Sequence, residues 1–316
     1  MKKLLFIGKR YHGYTTEIVE QLELLGYAVR FYDIEPWNVF YKLLRILMPA
    51  RFREMRDNQQ KKILQNEEGI DYEVVLFLQA HQFSVDNVES LKARHPNARF
   101  ILYNWDSLKT HDYRPQMHVF DRVLTFDRED AKMLGIGYLP LFCVRGFQAL
   151  KKIRQQDNAV YFVGNVVNAQ RYEAVSAFKS YCRREHIEFK AYLAGTMRMV
   201  VRLVARGFLP TDISLGPIAH EKFIAMIESS TAVFDFANHA QSGYTMRTIE
   251  NLCAGKKLIT NNPNILQESF YSPDRIFVFE GLNFSGVAEF LVRPITTDSG
   301  TFDQFHIQTF VRRLLA

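Results

Sequence analysis

The sequence predicts an α/β protein made of two doubly wound domains, each a parallel sheet flanked by helices. Three observations predict it. Short continuous apolar runs, such as residues 4–7 and 74–78, suit strands buried on both faces. They alternate with segments of helical period. The alternation comes as two series separated by a basic, polar stretch at 145–158, and a chain of 316 residues fits two domains of roughly 150.

In the first series, LLFIG (4–8) is a strand and KRYHGY a polar loop. Apolar residues at Ile18, Val19, Leu22 and Leu25 place a helix over 15–25, and Gly26 closes it. YAVRFYD is the next strand, so the chain opens as βαβ and a parallel sheet follows. After an interruption at 37–64 come the strand EVVLFLQA (73–80) and a helix from the N-cap Ser84 through Leu91. The strands ARFILYNWD (98–106) and DRVLTFD (121–127), a short helix ending at Gly135 and a last strand, YLPLF, complete it.

The second series starts with the strand AVYFVG (159–164) and a helix over 170–184. EFKAYLAG is a strand, 197–206 a helix, 220–229 a helix and TAVFDF a strand. A helix over 245–254 and the strands KKLITN and RIFVF follow. The tail, 302–315, reads as an amphipathic helix. The expected domains are therefore 1–150 and 151–300, with 301–316 a terminal helix.

Composition bounds the function classes. A hydrophobic fraction of 47% with 23% charged residues excludes a disordered chain, a collagen and a disulfide scaffold. Cys143, Cys182 and Cys253 are odd in number, far apart and outside any metal-binding spacing, so reduced thiols in a cytoplasmic protein are expected. The apolar run after Met1 is too short for a signal peptide, and no run is long enough to span a membrane.

The net charge of +6 is local. Between Trp37 and Leu64 lie seven basic residues (Lys42, Arg45, Arg51, Arg53, Arg56, Lys61, Lys62) against Glu54 and Asp57, a net +5. Trp37, Phe40, Tyr41, Leu43, Leu44, Ile46, Leu47 and Phe52 are interleaved with them. Such a helix suits the surface of an anionic bilayer. It would equally serve as a helix packed on the sheet with its charges solvated. No nucleic-acid motif accompanies it, so no nucleic acid is expected as a partner.

The stretch HAQSGYTMRTIENLCAGKKLITNN (239–262) carries the strongest chemical signal. A strand leads through a loop with Gly243 into a helix opening near Thr245. A helix N-terminus after a small-residue loop presents unpaired N–H groups to an anion. Arg247 in the first turn adds a guanidinium fork for phosphate oxygens. It opposes the helix dipole there, so a bound anion is expected to compensate it. Glu250 follows within reach of a ribose diol. A GxGxxG after the first strand and a GxxxxGK[ST] are both absent, which argues against a P-loop enzyme. So is a DxD, the pair that would hold a divalent cation on a diphosphate.

SGYTMRTIENLCAGKKLIT resembles the donor-binding segment of GT-B glycosyltransferases. The closest likeness is to bacterial enzymes of capsule, lipopolysaccharide or exopolysaccharide assembly and the related spore-maturation type. FILYNWDSLKTHDY, FDRVLTFDREDAKMLG with YLPLF, and YFVGNVVNAQRY carry it too. The resemblance implies two Rossmann-like domains facing each other across a cleft, with the C-terminal helix returning to the first. It implies a nucleotide diphosphate sugar as donor substrate, no cofactor, no metal, and a glycan or lipid-linked acceptor. The expected location is cytoplasmic, peripheral on the inner face of the cytoplasmic membrane. Glu250 would hold the ribose, Gly243, Tyr244 and Thr245 would contact the diphosphate, and Arg247 would neutralise it. Gly164 and Arg171 would flank the same phosphates. Retaining members often carry a glutamate eight positions before Glu250, where this sequence has Ser242.

On the acceptor side the candidates follow first-domain strands, where ligands of open α/β sheets bind. They are Asp106, His12 and His81, with Asp106 the first choice as base or acceptor contact. His111 and Asp112 follow Asp106 closely, and His239 lies close to the donor loop. An epimerase acting on a nucleotide sugar, and a non-catalytic protein binding a sugar nucleotide or nucleic acid, are the alternatives.

Overall fold

The computed structural model describes residues 2–11, 13–34, 39–150, 158–237, 243–296 and 299–316. Within them the apolar runs become the expected strands. Leu4, Leu5, Phe6 and Ile7 have no exposed surface, and Val74 to Leu78 are exposed by 5% or less. Both therefore lie inside a sheet covered on its two faces, as their unbroken hydrophobicity requires.

The chain forms two compact units, one of Met1–Val144, Ala240–Tyr244 and Ile307–Ala316, the other of Arg145–His239 and Thr245–His306. In the first unit the elements run β1 (Lys2–Gly8), α1 (Tyr14–Leu24), β2 (Tyr27–Asp33), α2 (Val39–Leu47), α3 (Pro49–Asn66), β3 (Val74–Leu78), α4 (Val85–Arg94), β4 (Arg99–Asn104), β5 (Arg122–Thr125), α5 (Arg128–Leu134) and β6 (Gly137–Tyr138). The strands make one parallel sheet in the order β2-β1-β3-β4-β5-β6. Ser84 caps α4, accepting from the Asn87 amide at 3.3 Å. Asp127 caps α5 and Gly135, with φ +64°, ends it. The last strand is shorter than YLPLF suggests. Its pairing stops at Leu139, because Pro140 has no N–H to continue the ladder.

The basic interruption is two helices where one was expected. Pro49 cannot continue α2 but suits the first turn of α3. α3 buries Gln60, Ile63 and Leu64. α2 leaves Leu43, Ile46 and Leu47 exposed by 52, 71 and 72%. Trp37 lies outside the described residues.

The second unit runs α6 (Arg145–Leu150), β7 (Ala159–Asn165), α7 (Ala169–Arg184), β8 (Glu188–Ala194), α8 (Met197–Val204), β9 (Ile213–Ser214), α9 (His220–Glu228), β10 (Ala232–Asp235), α10 (Met246–Cys253), β11 (Lys257–Thr260), β12 (Ile276–Val278) and α11 (Val287–Val292). Its parallel sheet has the order β12-β11-β10-β7-β8-β9. Phenylalanines fill one face: Phe178 stacks on Phe234 at 4.2 Å and Phe234 on Phe279 at 5.4 Å. The stretch expected to break the rhythm contains α6, which buries Phe147 and Leu150. Two lysines at the entrance to β11 are buried as well. Lys256 Nζ donates to Ser230 O, and Lys257 Nζ donates to the carbonyls of Phe290, Leu291 and Arg293 where α11 ends.

The final helix, α12 (Ile307–Leu315), belongs to the first unit. It buries Ile307, Phe310, Val311 and Leu314, a one-faced spacing, with Phe310 against Tyr103 and Phe142. Arg99 donates to the carbonyls of Leu315 and Ala316. The tail forms a 3-10 turn over Ser299–Phe305 before this helix. All three cysteines are buried and none is in a disulfide. Among the described residues no helix is long and apolar enough to cross a membrane.

Candidate functional site

Each sheet has a topological switch point, where the strand order reverses and loops part to leave a crevice. In the first unit it falls between β1 and β3, in the second between β7 and β10. Asp106 and His81 lie by the first, and Arg247, Gly164 and Arg171 by the second.

In the first crevice, Tyr11 follows β1, Gln79 and His81 follow β3, and Trp105 and Asp106 follow β4. Gln79 has φ +62°, a left-handed conformation that costs a residue with a side chain on the order of 1 kcal/mol. Its N–H donates to Tyr103 O at 3.0 Å, and its side-chain amide donates to Asp106 Oδ2. A tight turn, with the amides of Thr110 and His111 donating to Ser107 O, folds His111 back towards Asp106. His111 Nε2 ends 3.8 Å from Asp106 Oδ2. The His81 and His111 rings stack at 3.7 Å, 7° from parallel. Asp106 is one-third exposed. On either side of it in the chain, the buried Asn104 Nδ2 and Ser107 Oγ have no hydrogen-bond partner among the described residues. Asp106 and His81 are thus brought to one cluster, joined by His111. His12 lies outside the described residues, as do His239 and Ser242.

In the second crevice, Arg247 Nη1 sits 3.0 Å from Asp235 Oδ1. Asp235 is buried at the end of β10, and Arg247 keeps 22% of its side chain exposed. A bound anion was expected to compensate Arg247; a carboxylate of the chain itself already does so. Asp235 supplies the charge that the first turn of α10 lacks, and the threonines Thr248 and Thr260 lie 3.5 and 3.4 Å from its other oxygen. The guanidinium also lies over the Phe162 ring, 5.1 Å from its centre. Gly164 explains its own presence. A Cβ there would fall 2.7 Å from Arg247 Nη2, so the glycine makes room for the arginine itself.

Arg171 reaches the same crevice from α7. Its Nη1 and Nη2 donate to the carbonyls of Asn165 and Phe236 at 3.1 and 3.0 Å. Its buried Nε has no partner among the described residues. Burial, then the charge of Arg247, lowers its pKa, and Asp235 opposes them. Arg171 and Arg247 both act on the end of β10, and Asp235 acts on both; paired guanidiniums at a strand end suit an anion.

The other donor-side candidates also serve the fold. Thr245 caps α10, its Oγ1 accepting from the Thr248 amide at 3.3 Å. Glu250 is buried in α10, 4% exposed. Gly243 and Tyr244 belong to the first unit. The Gly243 amide donates to Asp127 Oδ2 at 3.3 Å, and a Cβ there would fall 2.4 Å from the Phe126 ring. Asp235, Phe162 and Gln79 were missed in the sequence. The first and last stand at strand ends beside a switch point, and that position was the available signal.

No family model matches the chain, and no curated protein matches it in sequence. Solved structures match it along its whole length. The lipopolysaccharide outer core galactosyltransferase WaaB aligns with a TM-score of 0.61 over 99% of this chain and 98% of that one, at 13% identity. The fold is GT-B. The catalytic domain of starch synthase IV from Arabidopsis thaliana, bound to ADP and acarbose, gives 0.56 at 8% identity, covering 100% of this chain and 95% of that one. The UDP-GlcNAc 2-epimerase of Methanocaldococcus jannaschii, with UDP-GlcNAc and UDP, gives 0.50 at 10% identity over 100% and 99%. At these identities the likeness is one of fold.

Proposed function

We propose that this protein is a glycosyltransferase that moves a sugar from a nucleotide diphosphate sugar to a glycan or lipid-linked acceptor in bacterial surface polysaccharide synthesis. The observation that carries the reading is the end of β10, where Arg247 pairs with the buried Asp235 and Arg171 reaches the carbonyl of Phe236 just beyond it. Fixed guanidiniums stabilise the charge that develops on a departing diphosphate. They do so without a divalent metal, and no metal is assigned a role. Glu250 and the Thr245 end of α10 lie on the helix that carries Arg247, and in this reading they contact the ribose and the phosphates once donor is bound.

The first crevice takes the acceptor. Asp106 is the base that receives the hydroxyl proton, with Gln79 and His111 orienting it and His81 stacked on His111. A carboxylate in hydrogen-bond reach of an incoming hydroxyl is the minimum such a step needs. A thermal-shift screen against UDP-, GDP-, CMP- and dTDP-sugars tests the donor half, since a ligand bound only to the native state raises its melting temperature. No shift with any of them, or a shift that survives in Arg247→Ala, would overturn the assignment. Release of a free isomerised sugar nucleotide without acceptor would indicate an epimerase instead, the activity named for one structural neighbour.

The acceptor's lipid half motivates the second element of the proposal, a peripheral contact with an anionic membrane. α2 exposes Leu43, Ile46 and Leu47, and Met48 beyond it is 39% exposed. They lie in a segment of net charge +5. Apolar side chains ringed by lysine and arginine are the composition that enters a headgroup layer.

A further inference from the structure

We infer that Tyr11 and Trp105 form a stacking corner for a pyranose ring, so that the first crevice recognises a sugar residue directly. The inference rests on the glycosyltransferase reading and deepens it, because it assigns the acceptor's contact in this crevice to carbohydrate rather than lipid. The two rings lie at the switch point of the first sheet, their centres 5.7 Å apart and their planes at 66°. Tyr14 stacks behind Tyr11 at 6.1 Å, 14° from parallel, and meets Phe142 edge-on. The corner is therefore backed by other rings and held stiffly. Its loop is pinned as well: the Tyr11 amide donates to Thr15 Oγ1, and Thr15 Oγ1 donates to Lys9 O, both at 3.1 Å. Tyr11 nevertheless keeps 39% of its surface exposed.

An exposed aromatic on a rigid backing suits a partner with one apolar face and a polar rim. A pyranose has that shape, with axial C–H bonds on its face and hydroxyls around its edge. The edge chemistry is present next door. Asp106 follows Trp105 directly and accepts hydrogen bonds, while the imidazoles of His81 and His111 supply donors and acceptors. A lipid chain would satisfy the rings and leave this polar rim unmatched.

The chain has two tryptophans, Trp37 and Trp105. In full-length Trp37→Phe protein, tryptophan emission therefore reports on Trp105 alone. The probes are the methyl glycosides of glucose, galactose and N-acetylglucosamine, with mannitol as a polyol lacking a ring. At least one glycoside should shift the emission saturably, with a dissociation constant of about 1 to 100 mM, and mannitol should not. Tyr11→Phe should keep this response, and Tyr11→Leu should weaken it about tenfold or more. No response to any glycoside, an equal response to mannitol, or full binding by Tyr11→Leu overturns the inference. A parallel thermal-shift titration with UDP-, GDP-, CMP- and dTDP-sugars separates the two levels. Sugar-nucleotide binding without glycoside binding rejects the corner and leaves the glycosyltransferase reading standing. Glycoside binding with no nucleotide binding keeps the corner and rejects that reading.

Discussion

Asp235 and Arg247 form an ion pair at 3.0 Å, although twelve residues and a loop separate them in the chain. The register of β10 brings the carboxylate to the start of α10, where a lone arginine would oppose the helix dipole. Asp235 is almost fully buried, and Arg247 is the cation that faces it. Removing one member of a buried pair costs about 3 to 5 kcal/mol. Since Arg247 is partly exposed, Asp235→Ala should fall near the lower end, measured by urea unfolding. Arg247→Ala should also destabilise and should remove sugar-nucleotide binding. Asp235→Leu with Arg247→Met should recover part of the stability and none of the binding.

Gly164 offers a finer probe of the same crevice. An alanine methyl would meet Arg247 Nη2 at 2.7 Å, and that atom ends a flexible side chain. The arginine can shift, so Gly164→Ala should cost about 1 kcal/mol, the low end for overpacking. Nucleotide affinity should nonetheless drop about tenfold, which is about 1.4 kcal/mol of misplaced guanidinium. Calorimetric titration of the best sugar nucleotide checks it; unchanged affinity would mean Arg247 does not touch the phosphates.

These residues mark how far the sequence could be read. The strands of both sheets were legible because unbroken apolar runs between turn residues have few other uses. Capping residues such as Ser84 were legible because the signal is local. The two-residue strand β9 and the short helices α6 and α11 lack enough residues to show a period. The pairing of Asp235 with Arg247, and the convergence of Gln79, Asp106 and His111, depend on which strand lies next to which. Strand order leaves no mark in local composition. Arg247 was found because an arginine in a first turn is locally wrong, and its partner was missed because the correction comes from another element.

Lys256 gives a prediction about pH. Burial pushes its ammonium down from 10.5 to about 8, and its one described hydrogen bond goes to Ser230 O. Between those values the unfolded chain binds a proton that the folded protein does not, so this lysine makes stability rise with pH. Cys182 acts in the opposite sense, since burial raises its thiol from 9.0 to about 12 and stability falls above pH 9. Lys257, likewise pushed down by burial from 10.5 to about 8, adds to the rise between pH 8 and 9. Lys256→Met should therefore lessen the rise there by about half, and Lys256→Met with Lys257→Met should flatten it, read from urea midpoints at half-unit steps.

The exposed apolar residues of α2 should bind anionic bilayers. Vesicles of phosphatidylglycerol mixed with phosphatidylcholine should co-sediment the protein, and pure phosphatidylcholine should do so weakly, with salt reducing the difference. Ile46→Glu with Leu47→Glu should abolish sedimentation. Both positions are over 70% exposed, so the melting temperature should not change. Equal binding by the double variant would place the contact elsewhere.

Gln79 poses the sharpest test of the first crevice. It is buried and held at φ +62°, a conformation that asparagine adopts more readily than glutamine. Gln79→Asn should therefore remain folded, the backbone gain offsetting part of the roughly 1 kcal/mol lost with the side-chain hydrogen bond. The shorter side chain cannot reach Asp106, whose carboxylate then loses its fixed orientation. If Gln79 positions the base, turnover should fall about tenfold or more while the KM for donor stays constant, since a few tenths of an ångström at a reacting group are costly. Asp106→Asn should remove turnover altogether and leave nucleotide binding intact. Full activity in Gln79→Asn would make the strained glutamine a packing residue and release Asp106 from the role of base held by its neighbours.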